Sequence, residues 1–421
     1  MDNKNGRSHW LRPWLTAIIV AIFLLPAIRT PGGLPSVRGE ELIFIPFILY
    51  CMFRVIKGKN VVFAWGVRQN LFVVFFVFLF VSVLSGLMLG YNAKYGDLNQ
   101  IVRFVKYILV YTLSSSFIHV GNQKLYKRRK FVFNLFILCS VIASLIAVQQ
   151  FFDIFSLNSA YVEYVAPTAH DSLLGDYPFP RPVAMIGNPN EVGFAFVLGG
   201  LTATYCLIKR GGWRFFVAMI VNFIAVGLTL SRTAFVALIV GSGYLYGMQL
   251  FVGRRSTSEK LKYLFFPTGV LIAAIAYLLA NPVLFETIGW RLYTLLEFQS
   301  TSSWQVRVRG WQQSIKLFLE NPLLGVGPLR GAEITPEATD NEWLQLLRTY
   351  GIVGTLVLTI GVIWPHLRAK SGLLRVFISA ILISTAVYMI PAAVFHSLSL
   401  MPLLLVLIAT EDPTVRRVTL L

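Results

Sequence analysis

Residues 304–328 read WQVRVRGWQQSIKLFLENPLLGVGP, and residues 339–351 read TDNEWLQLLRTYG. The stretch Trp304–Gly351 closes the one long polar excursion in a chain that otherwise keeps returning to apolar runs. Wound at about 100° per residue, its first part sorts into two faces. Trp304, Val308, Trp311, Ile315 and Phe318 form an apolar stripe, with Gln305, Arg309, Gln312, Lys316 and Glu320 opposite. Arg307 breaks the pattern, because it falls at the edge of the apolar sector beside Phe318. Two readings of it stand open. It snorkels into lipid headgroups, or it faces a buried site where an anion or a ring of acceptors offsets its desolvation.

Around this stretch the composition is that of a bilayer protein. The chain has 421 residues, of which 13% are charged and 56% hydrophobic, with a mean hydropathy of +0.68. That excludes a soluble enzyme. A span needs about 20 apolar residues to cross a hydrocarbon core of about 30 Å. About twelve spans are expected on this criterion, starting near Trp14, Glu41, Leu71, Leu98, Phe131, Pro189, Arg214, Thr233, Tyr263, Asn341, Leu374 and Ala393. The expected fold is therefore an all-α polytopic membrane protein. It divides into spans 1–9 over residues 1–280, a large helical outer loop over 281–340, and spans 10–12 over 341–421. Within the loop, Phe285, Ile288, Leu292 and Leu295 recur at helical spacing, as in a helix lying along a membrane surface.

Charge sorting supplies an orientation. With the N-terminus inside, the inner segments hold 24 of the 37 Lys and Arg, whereas 13 of the 19 Asp and Glu lie outside. This is the positive-inside pattern with both termini cytoplasmic. The net charge of +18 follows from that topology. Nucleic-acid binding is not indicated, since the basic residues are spread over short inner segments and do not share one face. Cys51, Cys139 and Cys206 fall within or at the inner ends of spans, so neither a disulfide framework nor a metal cluster is expected. The first apolar run lacks a small-residue cleavage site after Pro26 and reads as an uncleaved span.

Polar residues gather where spans meet the outer surface. In PFPRPVAMIGNPNEVGF, Asn188 is placed to cap the sixth span and Pro189 to open it, with Arg181 upstream and Asn190 beside the cap. Such a helix start offers free N–H groups and partial positive charge, which suits a phosphate. Arg232 stands in the LTLSRT break between the seventh and eighth spans, where ordinary solvation does not explain a charge. Thr339 to Glu342 fits a capping box for the tenth span, and a cap does not need both Asp340 and Asn341. Arg348 lies two turns deeper. Arg103 and Lys106 share a face of the fourth span and are open to a structural or a substrate role. Arg38 beside Glu40 and Glu41 reads as a local surface ion pair, His170 stands alone and is not read as a ligand, and His396 reads as structural. Arg181, Arg232, Arg307 and Asp340 thus give three cations and one carboxylate at one membrane depth, which suits an anionic headgroup with a general base nearby.

In RPVAMIGNPNEVGF, the LSRTA break, RVRGWQQSIKLFLENPLLGVGP and DNEWLQLLRTYGIVG, taken in this order, the sequence resembles the O-antigen ligase and polymerase superfamily of bacterial inner-membrane glycosyltransferases. The likeness covers roughly residues 180–365 by motif and the rest by topology. It implies a GT-C-like fold and transfer of glycan from an undecaprenyl pyrophosphate donor to an acceptor glycan, on the periplasmic side, with no cofactor and no metal. The implied partners are the lipid-linked oligosaccharide, membrane lipid, a flippase and a chain-length regulator. Arg181, Arg232 and Arg307 would hold the pyrophosphate, with Asp340 and Asn341 catalytic. Asn188, Asn190, Arg103 and Arg348 are secondary candidates. Ligases to lipid A core typically carry His before the Asn of the last motif. Here the residue is Asp340, which favours a polymerase of O-antigen or exopolysaccharide repeat units. A ligase is the alternative within the superfamily, and a lipid-linked oligosaccharide flippase the alternative outside it.

Overall fold

The structure, a computed structural model, describes residues 10–26, 37–58, 60–91, 98–120, 125–166, 169–175, 179–252, 302–328 and 340–420. The span expected near Tyr263 and most of the 281–340 loop, Thr339 included, lie outside the described residues. The helices are α1 (Leu11–Leu24), α2 (Gly39–Ile56), α3 (Val67–Met88), α4 (Leu98–His119), α5 (Leu125–Phe152), α6 (Leu157–Tyr164), α7 (His170–Leu173), α8 (Pro189–Arg210), α9 (Trp213–Leu228), α10 (Arg232–Val252), α11 (Ser302–Glu320), α12 (Glu342–Leu367), α13 (Leu373–Tyr388) and α14 (Leu400–Ile408). Among the described residues, five helices are long and apolar enough to cross a membrane: α3, most of α4, α5, α8 and α12. This is an all-α membrane protein.

Burial separates their places in the bundle. The apolar window of α8 is 89% buried and that of α3 only 33%. So α8 is the central helix, and α3 leaves Val74, Val77 and Leu84 exposed as a lipid-facing edge should. Its ends follow from local chemistry. Pro189 opens it, and Gly211 at φ 69° closes it after Lys209 and Arg210, whose charges suit the negative helix end.

Two expectations are corrected here. The fifth span, expected to start near Phe131, belongs to a helix that begins earlier, because α5 starts at Leu125 and carries Lys127 to Lys130 in its first turns. The span placed near Ala393 is shorter than a membrane: residues 391–399 are irregular and α14 has only nine residues. Irregular backbone at that depth survives only where protein groups replace the lost helix hydrogen bonds. Here α4 supplies them. Arg103 Nη1 donates to His396 O (3.2 Å), Lys106 Nζ to Leu398 O (3.0 Å), and the Tyr107 hydroxyl to Phe395 O (2.8 Å) and Ser397 O (3.0 Å). The pair Arg103 and Lys106 therefore splints a broken segment nearly 300 residues away in sequence.

The opposite end of the bundle carries an unexpected two-stranded antiparallel sheet. Strand β1 (Val61–Trp65) pairs with β2 (Arg416–Leu420), tying the segment after α2 to the C-terminal tail. Beneath it Arg68 is almost wholly enclosed. Its guanidinium donates to Gly361 O (3.1 Å), Val362 O (3.1 Å) and the Tyr111 hydroxyl (3.0 Å), and pairs with Asp412 (3.4 Å). Removing one partner of a buried pair costs about 3–5 kcal/mol, because the other charge is left uncompensated. Arg68→Ala should therefore lower the thermal midpoint of detergent-solubilised protein strongly. The double variant Arg68→Met with Asp412→Asn should recover part of the loss.

Candidate active site

At the other end, the loop 181–188 is fixed before α8 begins. Gln150, buried near the end of α5, accepts from the N–H groups of Val183 (3.0 Å) and Ala184 (2.8 Å). The Tyr161 hydroxyl donates to Ala184 O (2.7 Å). Burial pushes that phenol up to about 12, so it stays protonated as a donor. Asn188 then caps α8, its side chain accepting from Asn190 N (2.8 Å) and Glu191 N (3.4 Å). Arg181 Nη2 donates to Asn190 Oδ1 (3.4 Å), which turns the guanidinium towards the helix start.

Arg38 is corrected from its surface reading. It is only 5% exposed, pairs with Glu40 at 3.3 Å, and reaches Ile186 O at 3.4 Å. Lys106 closes the cluster on Glu40 (3.2 Å) and Glu41 (3.1 Å). A buried Glu40 requires these cations, since an unpaired carboxylate in a dry interior would be very costly.

The break before α10 packs on the same helix start. Leu230 sits at φ 53°, Ser231 Oγ accepts from Ala234 N (3.4 Å), and Arg232 is the first helical residue. A Cβ added at Gly193 would lie 2.9 Å from Thr229 Oγ1 and 3.0 Å from Ala234 Cβ. Only a bare glycine in the first turn of α8 lets the break approach so closely. The residues on either side of Arg232 thus pack against α8 about one turn after Asn190.

The third arginine lies on α11, and the packed face of that helix differs from the apolar stripe. Gly310, Ser314 and Leu317 are buried, whereas Ile315 is 43% exposed. The buried side is thus rotated towards Arg307. A helix lying between protein and a lipid surface can place apolar residues on both, so hydrophobicity alone does not mark the packed side. Arg307 Nε donates to Asp340 Oδ2 at 2.8 Å, with the side chains 31% and 40% exposed. The N-cap of α12 is Asn341, whose side chain accepts from Leu344 N (3.1 Å). Asp340 is not the cap. The Asn341 oxygen is occupied by that cap, which leaves Asp340 as the carboxylate facing outward.

A clamp of backbone hydrogen bonds sets α11 against α12. The NPLLGVG run after α11 lies along a break in α12 at Gly351, with Val326 N to Arg348 O (2.8 Å), Gly327 N to Thr349 O (3.0 Å) and Ile352 N to Pro322 O (2.8 Å). Ser82 and Ser85 of α3 hold it from behind, donating to Thr349 O and Gly325 O. The Arg348 carbonyl is thus structural.

Arg181, Arg232 and Arg307 therefore fall at one end of the bundle, on the approach to α8 and on α10 and α11. Arg307 meets Asp340 and Arg181 meets Asn190; these contacts do not by themselves bring the three guanidinium groups to one point. Sequence reasoning did not single out Gln150, Glu191 or Glu342 as functional. The signal was present, because an acidic residue in the first turn of an apolar helix needs a partner once buried.

The class defined so far is a multi-pass helical membrane protein with an Arg–carboxylate pair at the rim of its bundle. The model of the family described as O-antigen ligase matches residues 215–359. Comparison with curated proteins gives no match. The matched region, about a third of the chain, is similar to the O-antigen ligase family. It includes Arg232, Arg307, Asp340 and Asn341, whereas Arg38, Arg103 and Arg181 lie upstream of it.

Proposed function

We propose that the protein polymerises O-antigen or exopolysaccharide repeat units at the extracytoplasmic face of the bacterial inner membrane. It takes glycan from an undecaprenyl pyrophosphate donor and passes it to a sugar hydroxyl. Both termini are cytoplasmic and spans lie on either side of the 281–340 loop, in keeping with the charge sorting. The observation that carries the reading is the Arg307–Asp340 pair, a half-exposed guanidinium and carboxylate in contact within the O-antigen ligase domain.

In the proposed step the acceptor hydroxyl attacks the anomeric carbon of the donor. The carbon–oxygen bond to the diphosphate breaks, and the hydroxyl proton passes to Asp340. The diphosphate leaves on its polyprenyl carrier with its growing charge matched by Arg181, Arg232 and Arg307. Asn341 fixes the helix turn that presents Asp340. The Asp at position 340, in place of the His typical of ligases, supports polymerisation over transfer to lipid A core.

Gel banding of surface polysaccharide tests the choice. Deleting the gene should leave a single repeat attached to the acceptor. Long chains stranded on the lipid carrier would instead identify a ligase, and retention of unextended lipid-linked units on the cytoplasmic side a flippase.

A further inference from the structure

The first turn of α12 is fastened to the irregular segment before α14 by one side chain that the proposed mechanism leaves unused. Glu342 is fully buried. Its Oε2 accepts from Val394 N at 2.6 Å, its Oε1 pairs with His396 Nδ1, and its own N–H donates to Met389 O at 3.0 Å. The His396 ring stacks on Tyr350 one face away, with centroids 6.3 Å apart and planes 7° from parallel. The segment receiving these bonds is itself held by Arg103, Lys106 and Tyr107 of α4. Ser397 of the same segment donates to Glu191 in the first turn of α8 at 2.8 Å.

Two helix starts, one beside Arg181 and one beside Asp340, are thus pinned to a single rigid strap, residues 389–399. An acidic residue in the first turn of a helix is ordinarily explained by the helix dipole, worth about 0.3–1 kcal/mol at a surface. That does not account for a carboxylate with no exposure, whose two oxygens go to a neighbouring segment. Asp340, two residues before Glu342, is 40% exposed, and the contact described for its side chain is Arg307. Its direction is consequently set by the turn that Glu342 fastens.

We infer that Glu342 and His396 are positioning residues that hold Asp340 in line with the acceptor hydroxyl. This rests on the reading of Asp340 as the base. The Glu342–His396 pair does not touch substrate. It fixes the angle at which the neighbouring carboxylate meets it, and misplacement of about 1 Å can cost on the order of 10²-fold in rate.

The test uses purified full-length protein in lipid nanodiscs with a synthetic lipid-linked repeat unit. His396→Ala removes one fastening and leaves the Val394 bond to Glu342. It should lower kcat about 10- to 100-fold with KM within about twofold. His396→Asn keeps a donor where Nδ1 was and should restore most of kcat. In an Asp340→Asn background, followed over long incubations, His396→Ala should cause no further loss, because the carboxylate it positions is gone. Should His396→Ala not accumulate, Glu342→Asp, which keeps the charge and shortens the reach, carries the same comparison. An unchanged kcat in His396→Ala, equal losses in both backgrounds, or a His396→Asn variant as slow as His396→Ala would overturn the inference. A wild-type rate in Asp340→Asn alone would instead remove the reading of Asp340 as the base, and that arm is scored separately.

Discussion

An Arg307→Ala variant is expected to lose chain extension by roughly 10²–10³-fold, the usual cost of removing one preorganised donor from a developing anion. It should still accumulate in the membrane at wild-type levels. The two halves of this expectation have separate grounds. Arg307 and Asp340 are 31% and 40% exposed, and an ion pair of that kind contributes about 0–1 kcal/mol to stability. The fold does not depend on it. The chemistry does, because the leaving diphosphate gains charge as the glycosidic bond breaks, and a guanidinium matches two phosphate oxygens at once. Arg307→Lys keeps the charge but loses the planar fork, so it should fall between wild type and Ala. Asp340→Asn should cost roughly 10²–10⁴-fold as the base is lost. The double variant should lose less than the product of the two singles, since the groups are in contact. The measurement is polymer length and initial rate with the synthetic donor, normalised to protein in the membrane. Near-wild-type extension in Arg307→Ala would remove the donor-site reading.

How far this site could be read in advance depended on whether its cause was local. The α8 cap was legible because Asn188 and Pro189 act on their own turn. The break at Leu230 was legible for the same reason. The α12 cap was not, since the expected capping box ran from Thr339 to Glu342 whereas the N-cap is Asn341. Partners distant in sequence were not legible. A charge inside a span announces that it needs a partner but not which one, and Arg103 and Lys106 find theirs near residue 397. Arg38 looked like a surface pair because Glu40 and Glu41 are adjacent in sequence; its burial is decided by Ile186 and Lys106. The β1–β2 sheet was missed because VVFAW falls in the short segment before the span expected near Leu71, and its partner strand lies in the tail. The rotation of α11 was missed because two different surfaces accept the same apolar side chains. The Pro and Gly of the NPLLGVG run predict a helix break, which is correct locally and incomplete. Its glycines are needed for what they lie against.

That incompleteness leads to a large expected stability effect at Gly351. The residue has φ 61° and ψ −170°, a region nearly closed to any residue with a Cβ. A Cβ there would also overlap the carbonyl of Leu323. Gly325, at φ 74°, faces Thr349 in the same way, so the two glycines form a back-to-back contact between the loop and the broken helix. Gly351→Ala adds backbone strain of about 1–3 kcal/mol and, by pushing the loop away, breaks backbone hydrogen bonds at Pro322, Arg348 and Thr349. Each such bond is worth about 0.5–1.5 kcal/mol, so a combined loss above about 3 kcal/mol is expected. A membrane domain of ordinary stability does not tolerate that easily. The variant should accumulate poorly and melt well below wild type. What does accumulate should show reduced extension, because the clamp joins the C-terminal end of the helix bearing Arg307 to the helix that starts beside Asp340. The control is Gly247→Ala on α10, where a Cβ meets nothing within 4 Å, and which should be neutral or slightly stabilising. Equal thermal midpoints for Gly351→Ala and Gly247→Ala would show that the contact between the NPLLGVG run and α12 does not hold the two helices together. The fixed spacing of Arg307 and Asp340 would then need another source.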